Sequence, residues 1–504
     1  GDYDAFYTNG ANLYGVKIAD GVATDEKVLN WINCDIDSDY VRTFAAISDG
    51  VIVALTQDYS SNTPVVELVT LTRTPAKDVA QKETLTLGTQ YLDWDTKRQV
   101  LKFNKTNPDY RIEIKDYSEY NTDENYEAGV QKLTTEILSG DMPDIIYTSG
   151  LPIEQMEAKG LLTDLYPFME TDSEIKKDDI MPTIRNALEM DGKMYRTCAT
   201  FSVMTVMGNR DVVGDTPGWT VDDLKAAYAK MPDGCTIFSE GVTRSDILQY
   251  MLMLDEDTFV DWAASECNFD SQAFIDLLEF VKMFPSEFDW ENYDYGEYES
   301  DQTRIANGKQ MLMMTYLSDF WDIQYNMSAF QDKGVFIGFP TSEGVGNVLS
   351  LNDGYAISSK CKAPEAAWEF VRYFMTEDYM NTYGSGFSSN QKIFDAQMKE
   401  AMTPQYETDM NGNYVLDENG NKIEISQGSW SDGVNDYEFY AMTQEQADQL
   451  LDLIASCTKV VNYNTSLFDI VNEEVQGYFN DQKSAEETAK MVQSRVSLYV
   501  KEQA

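Results

Sequence analysis

Short apolar runs that alternate with polar positions dominate the first 80 residues, and this pattern predicts β structure. Residues 13–18 alternate and are followed by an Asp-Gly turn, residues 51–55 follow a second Asp-Gly pair, and residues 65–71 follow a proline. Strands separated by such turn residues pair as antiparallel neighbours. We therefore predict a small antiparallel β-rich unit over residues 1–80, with a linker at residues 75–78.

From about residue 83 the apolar pattern switches between the period of a strand and the period of a helix. Strands are predicted at residues 84–88, 110–114 and 144–148, and helices at residues 97–104 and 126–140. A β-α-β-α-β order requires right-handed crossovers and a mostly parallel sheet. Ligands bind beyond the carboxyl ends of the strands in such a sheet, so the loops after these three strands are the first candidates for a site.

Apolar residues at helical spacing continue through the middle and the end of the chain. Helices are predicted after the capping residue Thr220, from Asp270, over residues 365–375, and from a capping box at residues 484–487. A buried strand is predicted at residues 311–315. The chain beyond residue 83 is therefore expected to be an α/β structure.

Residues 409–422 are rich in Asp, Asn and Gly, and their Asn-Gly steps flank a short apolar stretch. This composition indicates a hairpin. An EF-hand calcium loop would require Gly at its sixth and Glu at its twelfth position, whereas Gly412 is fourth and Gly420 is twelfth from Asp409. We therefore predict a hairpin rather than a calcium site, no bound metal, and no internal repeat in the chain.

Composition narrows the classes of function. The 504 residues include 86 acidic and 38 basic residues and no histidine, which gives a formal net charge of −48. Such an acidic chain is a poor partner for nucleic acid or an anionic membrane. The absence of histidine excludes Ser/His/Asp and Cys/His nucleophiles and the HExxH zinc site. We expect a binding protein without a cofactor, with a carboxylate-based glycoside-active enzyme as the less favoured alternative.

Export is expected from the apolar pattern and from the start of the chain. No apolar run reaches the roughly 18 to 20 residues that cross a bilayer. The chain opens with Gly1 and has no initiator methionine, as a processed exported protein would. Scattered cysteines predict buried free thiols rather than a disulfide framework. The cysteines are Cys34, Cys198, Cys235, Cys267, Cys361 and Cys457.

Aromatic and polar side chains collect where strands are predicted to end. Aromatic rings stack on the C–H faces of sugars, and neighbouring polar groups bind the hydroxyls. For each ring taken singly, a place in the core or in an interface is the alternative interpretation. The candidates for ligand binding are Tyr91, Trp94, Tyr117, Tyr120, Ser149, Phe320, Trp321, Asn352 and Tyr355.

Eight stretches occur in a fixed order between residues 85 and 370. They are 85–88 (LTLG), 100–108 (VLKFNKTNP), 133–145 (LTTEILSGDMPDI), 191–195 (DGKMY), 218–224 (GWTVDDL), 307–311 (NGKQM), 338–340 (GFP) and 355–370 (YAISSKCKAPEAAWEF). In this order they resemble the extracellular solute-binding protein family 1, whose members supply ABC importers and bind mainly sugars. The first 80 residues fall outside the resemblance.

The resemblance implies a two-lobed, periplasmic-binding-protein-like α/β fold of type II, in which a hinge closes the lobes on a ligand. The implied lobe one comprises residues 81–198 and 340–395, and lobe two comprises residues 199–339 and 396–504. Crossings between lobes are implied near residues 197–201, 339–341 and 393. The resemblance also implies ligand contacts at Gln90, Tyr91, Trp94, Ser318, Phe320, Trp321 and Trp430, and we include Phe201 at the first crossing.

The sequence therefore predicts the extracellular capture of a solute, in first place an oligosaccharide, by hinge closure, and its delivery to the permease of an ABC importer. We expect a monomer that is anchored at the bacterial cell surface, has no nucleic-acid partner and is not an enzyme. A surface adhesion or sensory protein, in which the N-terminal unit contacts a partner chain, is the alternative from another class.

Overall fold

The computed structural model describes the chain except for short stretches at its ends and in loops. The described residues are 3–59, 63–75, 82–215, 217–262, 264–294, 296, 298–341, 346–382, 384–461 and 464–502. Of the predicted linker at residues 75–78, only Pro75 belongs to them, so that prediction lies outside the described residues.

The chain contributes strands along its whole length, and they are numbered here in chain order. They are β1 Ala5–Asn9, β2 Asn12–Ala19, β3 Val22–Asn30, β4 Val41–Ser48, β5 Val51–Asp58, β6 Val65–Thr72, β7 Glu83–Thr89, β8 Tyr110–Asp116, β9 Ile145–Tyr147, β10 Glu189–Met190, β11 Lys193–Met194, β12 Thr200–Asn209, β13 Val260–Asp261, β14 Glu266–Cys267, β15 Leu312–Leu317, β16 Gly334–Phe336, β17 Val348–Leu351, β18 Tyr355–Ile357, β19 Phe387–Ser388, β20 Gly428–Ser431, β21 Asp436–Phe439 and β22 Lys459–Val460.

The helices are concentrated after residue 90. They are α1 Trp94–Thr106, α2 Ala128–Ser139, α3 Ile153–Ala158, α4 Tyr166–Thr171, α5 Pro182–Leu188, α6 Arg210–Val213, α7 Val221–Tyr228, α8 Arg244–Phe259, α9 Gln272–Val281, α10 Asp301–Ala306, α11 Phe320–Ala329, α12 Pro364–Val371, α13 Glu377–Thr382, α14 Gln391–Ala401, α15 Gln444–Ser456, α16 Thr465–Phe479 and α17 Ala485–Glu502. Among the described residues, none of these helices is both long and apolar enough to cross a membrane.

The chain divides into two compact units. Unit 1 comprises Gly1–Ile180, Leu188–Ala199 and Asp353–Gly384, and unit 2 comprises Met181–Ala187, Thr200–Asn352 and Ser385–Ala504. Residues 340–352 and 385–395, which the sequence assigned to lobe one, are grouped here with unit 2, because β17 and β19 both pair with β12. The hinged, two-lobed arrangement itself stays a prediction.

The N-terminal part of unit 1 is β-rich, as predicted from the alternating apolar runs. Strands β1, β2 and β3 form one antiparallel sheet, and β4, β5 and β6 form another. A small core of their own joins the two sheets, with Leu13, Trp31, Ile36, Ile52 and Ala54 buried in it. The three predicted strands correspond to β2, β5 and β6.

A short turn after β3 attaches this N-terminal part to the rest of unit 1. Oδ1 of Asn33 accepts a hydrogen bond from the backbone N–H of Ile114 in β8, at 3.1 Å. The backbone carbonyl of Asn33 accepts a hydrogen bond from Arg111 at 2.5 Å, and Asp35 accepts one from Asn104 at 3.1 Å. Because β8 is the last strand of its sheet, the turn covers an edge that would otherwise expose unpaired backbone groups.

A four-stranded sheet in the order β18-β9-β7-β8 forms the centre of unit 1. β7 pairs in parallel with β8 and with β9, and β18 runs antiparallel to β9. This arrangement confirms the predicted β-α-β-α-β order with α1 and α2 as connections. Helix α2 ends at Gly140, which has a φ of 87° and whose carbonyl accepts a hydrogen bond from Lys360.

Unit 2 is organised around β12, a ten-residue strand in which only the last position is not buried. β12 pairs with β15, β16, β17 and β19, and β22 extends the sheet beyond β17. The apolar faces of α8, α9, α16 and α17 supply much of the core beside it. The predicted caps are confirmed at Thr220 and at the pair Ser484 and Glu487, whereas the helix predicted from Asp270 is capped by Ser271.

Residues 405–425 form three short extended arms, and antiparallel bridges between Thr408 and Tyr414 and between Leu416 and Lys422 make two hairpin turns where one hairpin was predicted. Glu407, Val415 and Ile423 lie eight residues apart, and each backbone N–H of the three donates to the carbonyl of another, at 2.9 to 3.1 Å. The three hydrogen bonds close a ring. The arms are joined by two Asp-x-Asn-Gly-Asn turns, in which Asp409 and Asp417 accept the same set of hydrogen bonds. The prediction that the chain has no internal repeat is wrong here.

None of the six cysteines, all of which lie in the described part of the chain, forms a disulfide bond. Cys198, Cys235 and Cys457 are buried, as predicted. The prediction of burial is wrong for Cys34, Cys267 and Cys361, which are part-exposed because each lies in or beside a short surface element rather than in a core strand. No group of three or more Cys, Asp or Glu side chains in the described part of the chain is arranged to hold a metal ion.

Candidate ligand-binding site

The carboxyl ends of β7, β8 and β9 and the start of β18 lie along one edge of the sheet in unit 1, since β18 runs antiparallel to its neighbour. Gln90 follows β7, Thr148 follows β9, and Asp353 precedes β18 by one glycine. This is the edge at which parallel sheets bind ligands. We call the group formed by Gln90, Tyr91, Asp93, Tyr147 and Asp353 the strand-end site.

Hydrogen bonds fix the backbone on which Asp353 is presented. The backbone N–H of Thr148 donates to the carbonyl of Gly354 at 2.9 Å, and the hydroxyl of Thr148 accepts the N–H of Gly354 at 3.1 Å. A Cβ at Gly354 would lie 1.9 Å from the backbone oxygen of Thr197. Only glycine therefore allows this close approach, and Asp353 is exposed beside a rigid junction.

Asp93 begins α1 and links it to β18. Its carboxylate accepts hydrogen bonds from the backbone N–H and the hydroxyl of Thr96, at 2.8 and 2.7 Å. Because the Thr96 hydroxyl donates to Asp93, it accepts from the phenol of Tyr355, which lies 2.5 Å away. Burial, followed by the charge of Asp93, raises the pKa of Tyr355 well above its ordinary value. Tyr355 is thus a buried structural donor rather than a surface ligand contact.

Gln90 is the unusual member of the strand-end site. Its side chain is only 9% exposed, and neither its amide nitrogen nor its amide oxygen has a hydrogen-bond partner among the described residues. Buried polar groups are almost always paired, and an unpaired one costs about 1–3 kcal/mol. The amide of Gln90 therefore retains one donor group and one acceptor group for a ligand or water.

Two aromatic residues follow Gln90 along the chain. Tyr91 is 65% exposed, and its backbone N–H donates to the hydroxyl of Thr89 at 3.2 Å. Trp94 is half-buried, and the guanidinium of Arg98 lies 4.9 Å from the centre of its ring. Arg98 also lies 3.7 Å from Asp95. An exposed ring and a partly covered ring thus follow the buried amide within four residues of the chain.

Two carboxylates of the strand-end site act on the phenol of Tyr147. Burial, followed by the charges of Asp353 and Asp93, raises the pKa of the Tyr147 phenol above its ordinary value. Tyr147 ends β9, and its ring centre lies 5.4 Å from that of Tyr355. The phenol is therefore protonated at neutral pH and is available as a hydrogen-bond donor.

The structure places the other predicted residues of unit 1 differently. Tyr117 is fully buried and donates to Glu136 at 2.5 Å, so it belongs to the core beneath α2 rather than to a surface. Tyr120 is 47% exposed, with Lys132 lying 4.8 Å from its ring centre. Ser149 is part-exposed in the turn after β9. We do not propose Tyr117 or Tyr355 as a ligand contact, because both side chains are buried.

In unit 2, Trp321 forms an exposed aromatic platform. Its ring is 45% exposed and stacks on Tyr325 with centres 4.7 Å apart and planes 13° apart. Phe439 meets Trp321 edge-on at 5.6 Å. Ser318, just after β15, donates from its backbone N–H and its hydroxyl to Asp322 at 2.8 Å, which fixes the start of α11. The platform is therefore held rigidly at the first turn of that helix.

Three other predicted aromatics of unit 2 are buried. Phe201 and Phe320 pack with Phe387 in an aromatic core, with ring centres 5.0 to 5.6 Å from it. Trp430 is 9% exposed because it stacks on Tyr437 at 4.2 Å and donates its indole N–H to a serine hydroxyl. These three side chains are buried in unit 2, so we do not propose them as ligand contacts either.

Asn352 stands at the boundary of unit 2. It is exposed, and its amide donates to the hydroxyl of Thr200 at 2.5 Å, while its backbone N–H donates to the carbonyl of the same residue at 3.1 Å. Its side chain is therefore engaged in fixing the end of β17 to the start of β12.

Sequence reasoning missed Asp93, Tyr147, Asp353 and Tyr325. Asp93 lies five residues after the first predicted strand, Tyr147 lies within the third, and Asp353 lies between two residues that were selected, so position along the chain was a usable signal. Tyr325 lies four residues after Trp321, which is the helical spacing at which side chains stack. The selected residues were aromatic or neutral polar ones and included no carboxylate, so Asp93 and Asp353 were overlooked.

Comparison with known proteins gives the family. Residues 99–390, more than half of the chain, match the family described as bacterial extracellular solute-binding protein. No curated protein matches the chain significantly. Among solved structures, the ABC substrate-binding protein Lmo0181 from Listeria monocytogenes, in complex with cycloalternan, is 16% identical, with a TM-score of 0.46, and the match covers 84% of this chain and 100% of that one.

Two further solved structures match most of the chain. The sugar-binding protein MalE from Xanthomonas citri is 12% identical, with a TM-score of 0.49, over 83% of this chain and 98% of that one. An ABC transporter solute-binding protein from Agrobacterium vitis S4, with bound D-mannitol, is 17% identical, with a TM-score of 0.47, over 84% of this chain and 99% of that one. The resemblance seen in the sequence and the α/β, periplasmic-binding-protein-like fold are confirmed, and the chain belongs to the bacterial extracellular solute-binding protein family.

Proposed function

We propose that the chain captures a carbohydrate, in first place an oligosaccharide, outside the cell and delivers it to the permease of an ABC importer. Membership of the family establishes solute binding. The choice of a carbohydrate rests on Gln90, whose buried amide has no partner among the described residues and lies next to the exposed ring of Tyr91.

A sugar has hydroxyl groups that can pair with the amide of Gln90 and a C–H face that can stack on the ring of Tyr91. Each hydroxyl group is both a donor and an acceptor, so two neighbouring hydroxyls can pair with both ends of one amide. The C–H face of the same sugar ring can stack on an aromatic ring. A hydroxyl that reaches this amide would supply hydrogen bonds that no described residue of the chain supplies.

The aromatic platform of unit 2 supports the same ligand class. Trp321 and Tyr325 are stacked, so the exposed face of Trp321 is held in one orientation before any ligand arrives. A preorganised ring loses little side-chain entropy on binding. An oligosaccharide, with several rings in a row, can use more than one such surface.

The proposed mechanism is a population shift. Ligand binding favours a closed arrangement over an open one, and the permease recognises the closed state. In this proposal the protein acts as a monomer anchored at the bacterial cell surface and carries out no chemistry on its ligand. Small-angle scattering tests closure, since the radius of gyration should fall when the ligand is added.

The ligand class is tested by thermal-shift screening of oligosaccharides, followed by calorimetry on those that stabilise the protein. A ligand at 100 times its Kd should stabilise the folded state by about 2.7 kcal/mol. We expect Gln90→Ala to weaken binding about tenfold, since a polar contact to a desolvated group is lost. Gln131, exposed on α2, gives the matched control Gln131→Ala, which should bind as the wild type does. Absence of stabilisation across a broad glycan panel would contradict the proposal, and release of reducing ends would favour an enzyme.

A further inference from the structure

We propose that the strand-end site selects uncharged sugars and rejects sugars that carry carboxylate, sulfate or phosphate groups. This inference rests on the proposed function, because it assigns a charge class to the carbohydrate. It follows from where the carboxylates of unit 1 lie and from how its nearby cations are engaged.

Two carboxylates lie at the carboxyl edge of the sheet. Asp353 is exposed on the junction fixed by Thr148 and Gly354, and Asp93 begins α1 directly after the loop that contains Gln90. Both charges act on the phenol of Tyr147, which lies between the strand ends. A ligand that reaches Gln90 therefore approaches two negative groups.

The start of α1 does not offset this charge. The first turn of a helix normally attracts anions through its free N–H groups. Here Asp93 already accepts the N–H of Thr96, and Asp95 adds a second carboxylate to the first turn. The anion that the helix would bind is thus supplied by the chain itself.

The cations of the first turns of α1 are engaged elsewhere. Lys97 forms an ion pair with Asp39, a residue of the N-terminal part of unit 1. Arg98 stacks on Trp94 and lies 3.7 Å from Asp95, with its side chain only 5% exposed. A carboxylate of the N-terminal part is thus the partner of a lysine in the first turns of α1.

The groups that remain for a ligand are neutral. The amide of Gln90 offers one donor group and one acceptor group, and the protonated phenol of Tyr147 offers a donor. A hydroxyl satisfies these groups without bringing a charge. A carboxylate would have to lose water close to Asp93 and Asp353, which is costly because like charges repel more strongly where water is partly excluded.

The test pairs each neutral oligosaccharide with a charged counterpart. Gluco-, galacto- and manno-oligosaccharides are compared by calorimetry with oligogalacturonides and with the same neutral chains oxidised to the carboxylate at C6. We expect neutral ligands to bind at least tenfold more tightly. The ratio should shrink as salt rises from about 0.01 to about 1 M, because the Debye length falls from about 30 to about 3 Å.

The variant Asp353→Asn identifies the source of the selectivity. It should reduce the ratio of neutral to anionic affinity about fivefold, which corresponds to about 1 kcal/mol for one nearby charge. Asp141, exposed after α2 at the opposite edge of the same sheet, gives the control Asp141→Asn, which should leave the ratio unchanged.

The possible failures are distinguishable. If anionic sugars bind as tightly as their neutral counterparts at low salt, the inference is overturned while the proposed function stands. The same holds if Asp353→Asn and Asp141→Asn change the ratio equally. If no sugar of either kind binds, the proposed function fails and the inference fails with it.

Discussion

The side-chain oxygen of Asn33 accepts a hydrogen bond from the backbone N–H of Ile114 at 3.1 Å. These residues are 81 positions apart, and the contact joins the N-terminal β structure to the last strand of the central sheet in unit 1. An edge strand without such cover is a site for unwanted pairing with other chains. The N-terminal part is thus integral to the sheet.

Replacement of Asn33 by alanine should destabilise the protein by about 1–2 kcal/mol, because the buried N–H of Ile114 loses its acceptor. Urea unfolding monitored by tryptophan fluorescence measures this change. Asn9→Ala, at the exposed end of β1, is the control and should lie within about 0.5 kcal/mol of the wild type. Equal stability of the two variants would contradict the role of Asn33.

Gly354→Ala should destabilise the protein by about 1–3 kcal/mol, since the new methyl group would overlap the backbone oxygen of Thr197. Gly10→Ala is the comparison, because a Cβ there meets nothing within 4 Å and only its φ of 55° resists substitution. In thermal unfolding, the melting temperature of Gly354→Ala should be well below that of Gly10→Ala. The reverse order would show that the junction beside Asp353 can relax.

Protonation of Asp172 should lower the free energy of unfolding in acid. Burial alone would raise its pKa, but hydrogen bonds from Arg372 and from the Trp368 indole lower the pKa of Asp172 to about 2. A depressed folded-state pKa contributes stability above the unfolded value of 3.8, and this stability is lost as pH falls towards about 2. Asp172→Asn should therefore cost about 2 kcal/mol at neutral pH and almost nothing near pH 2. Chemical unfolding of both proteins between these limits measures the difference, and a pH-independent difference would contradict it.

Ionisation of Glu157 on α3 should give the stability of the protein the opposite pH dependence. Burial, opposed by Arg196 and reinforced by Glu154, raises the pKa of Glu157 to about 7. A raised folded-state pKa means that its contribution is present below the unfolded value of 4.5 and is lost as pH rises through about 7. Glu157→Gln should thus raise the melting temperature at pH 8 and change it little at pH 4. An equal effect at both pH values would show that ionisation is not the cause.

Trp94→Ala and Trp321→Ala should each weaken oligosaccharide binding about tenfold, because each removes an aromatic surface that can stack on a sugar. Calorimetry with the best ligand of the screen measures the change. Trp262, which is 37% exposed and donates its indole N–H to Glu256, provides the control Trp262→Ala. Unchanged affinity in both site variants would remove these rings from the site.

The sequence predicted the secondary structure of unit 1 well because that information is local. The apolar stripe of α2 and the stop at Gly140 can be recognised within fifteen residues. Burial of single rings is not local. Tyr117 looks like any loop tyrosine in sequence, and it is buried because Glu136, nineteen residues later, accepts its hydroxyl.

The sequence predicted where along the chain the candidate site residues lie, but it did not predict their burial or their hydrogen bonds. The end of the first predicted strand pointed to Tyr91, and the family resemblance implied Gln90; both residues follow β7 directly. That the amide of Gln90 is buried without a partner depends on the packing of distant segments, which no pattern in one sequence reveals. The role of Lys97 likewise depends on Asp39, 58 residues earlier, so it required the folded N-terminal part.

The closed ring formed by Glu407, Val415 and Ile423 limits how this segment can change in length. Each arm uses its backbone N–H on one neighbour and its carbonyl on the other, so removal of one eight-residue repeat leaves two arms whose ends no longer meet. Loss of one repeat would therefore leave unmade two of the three backbone hydrogen bonds that close the ring.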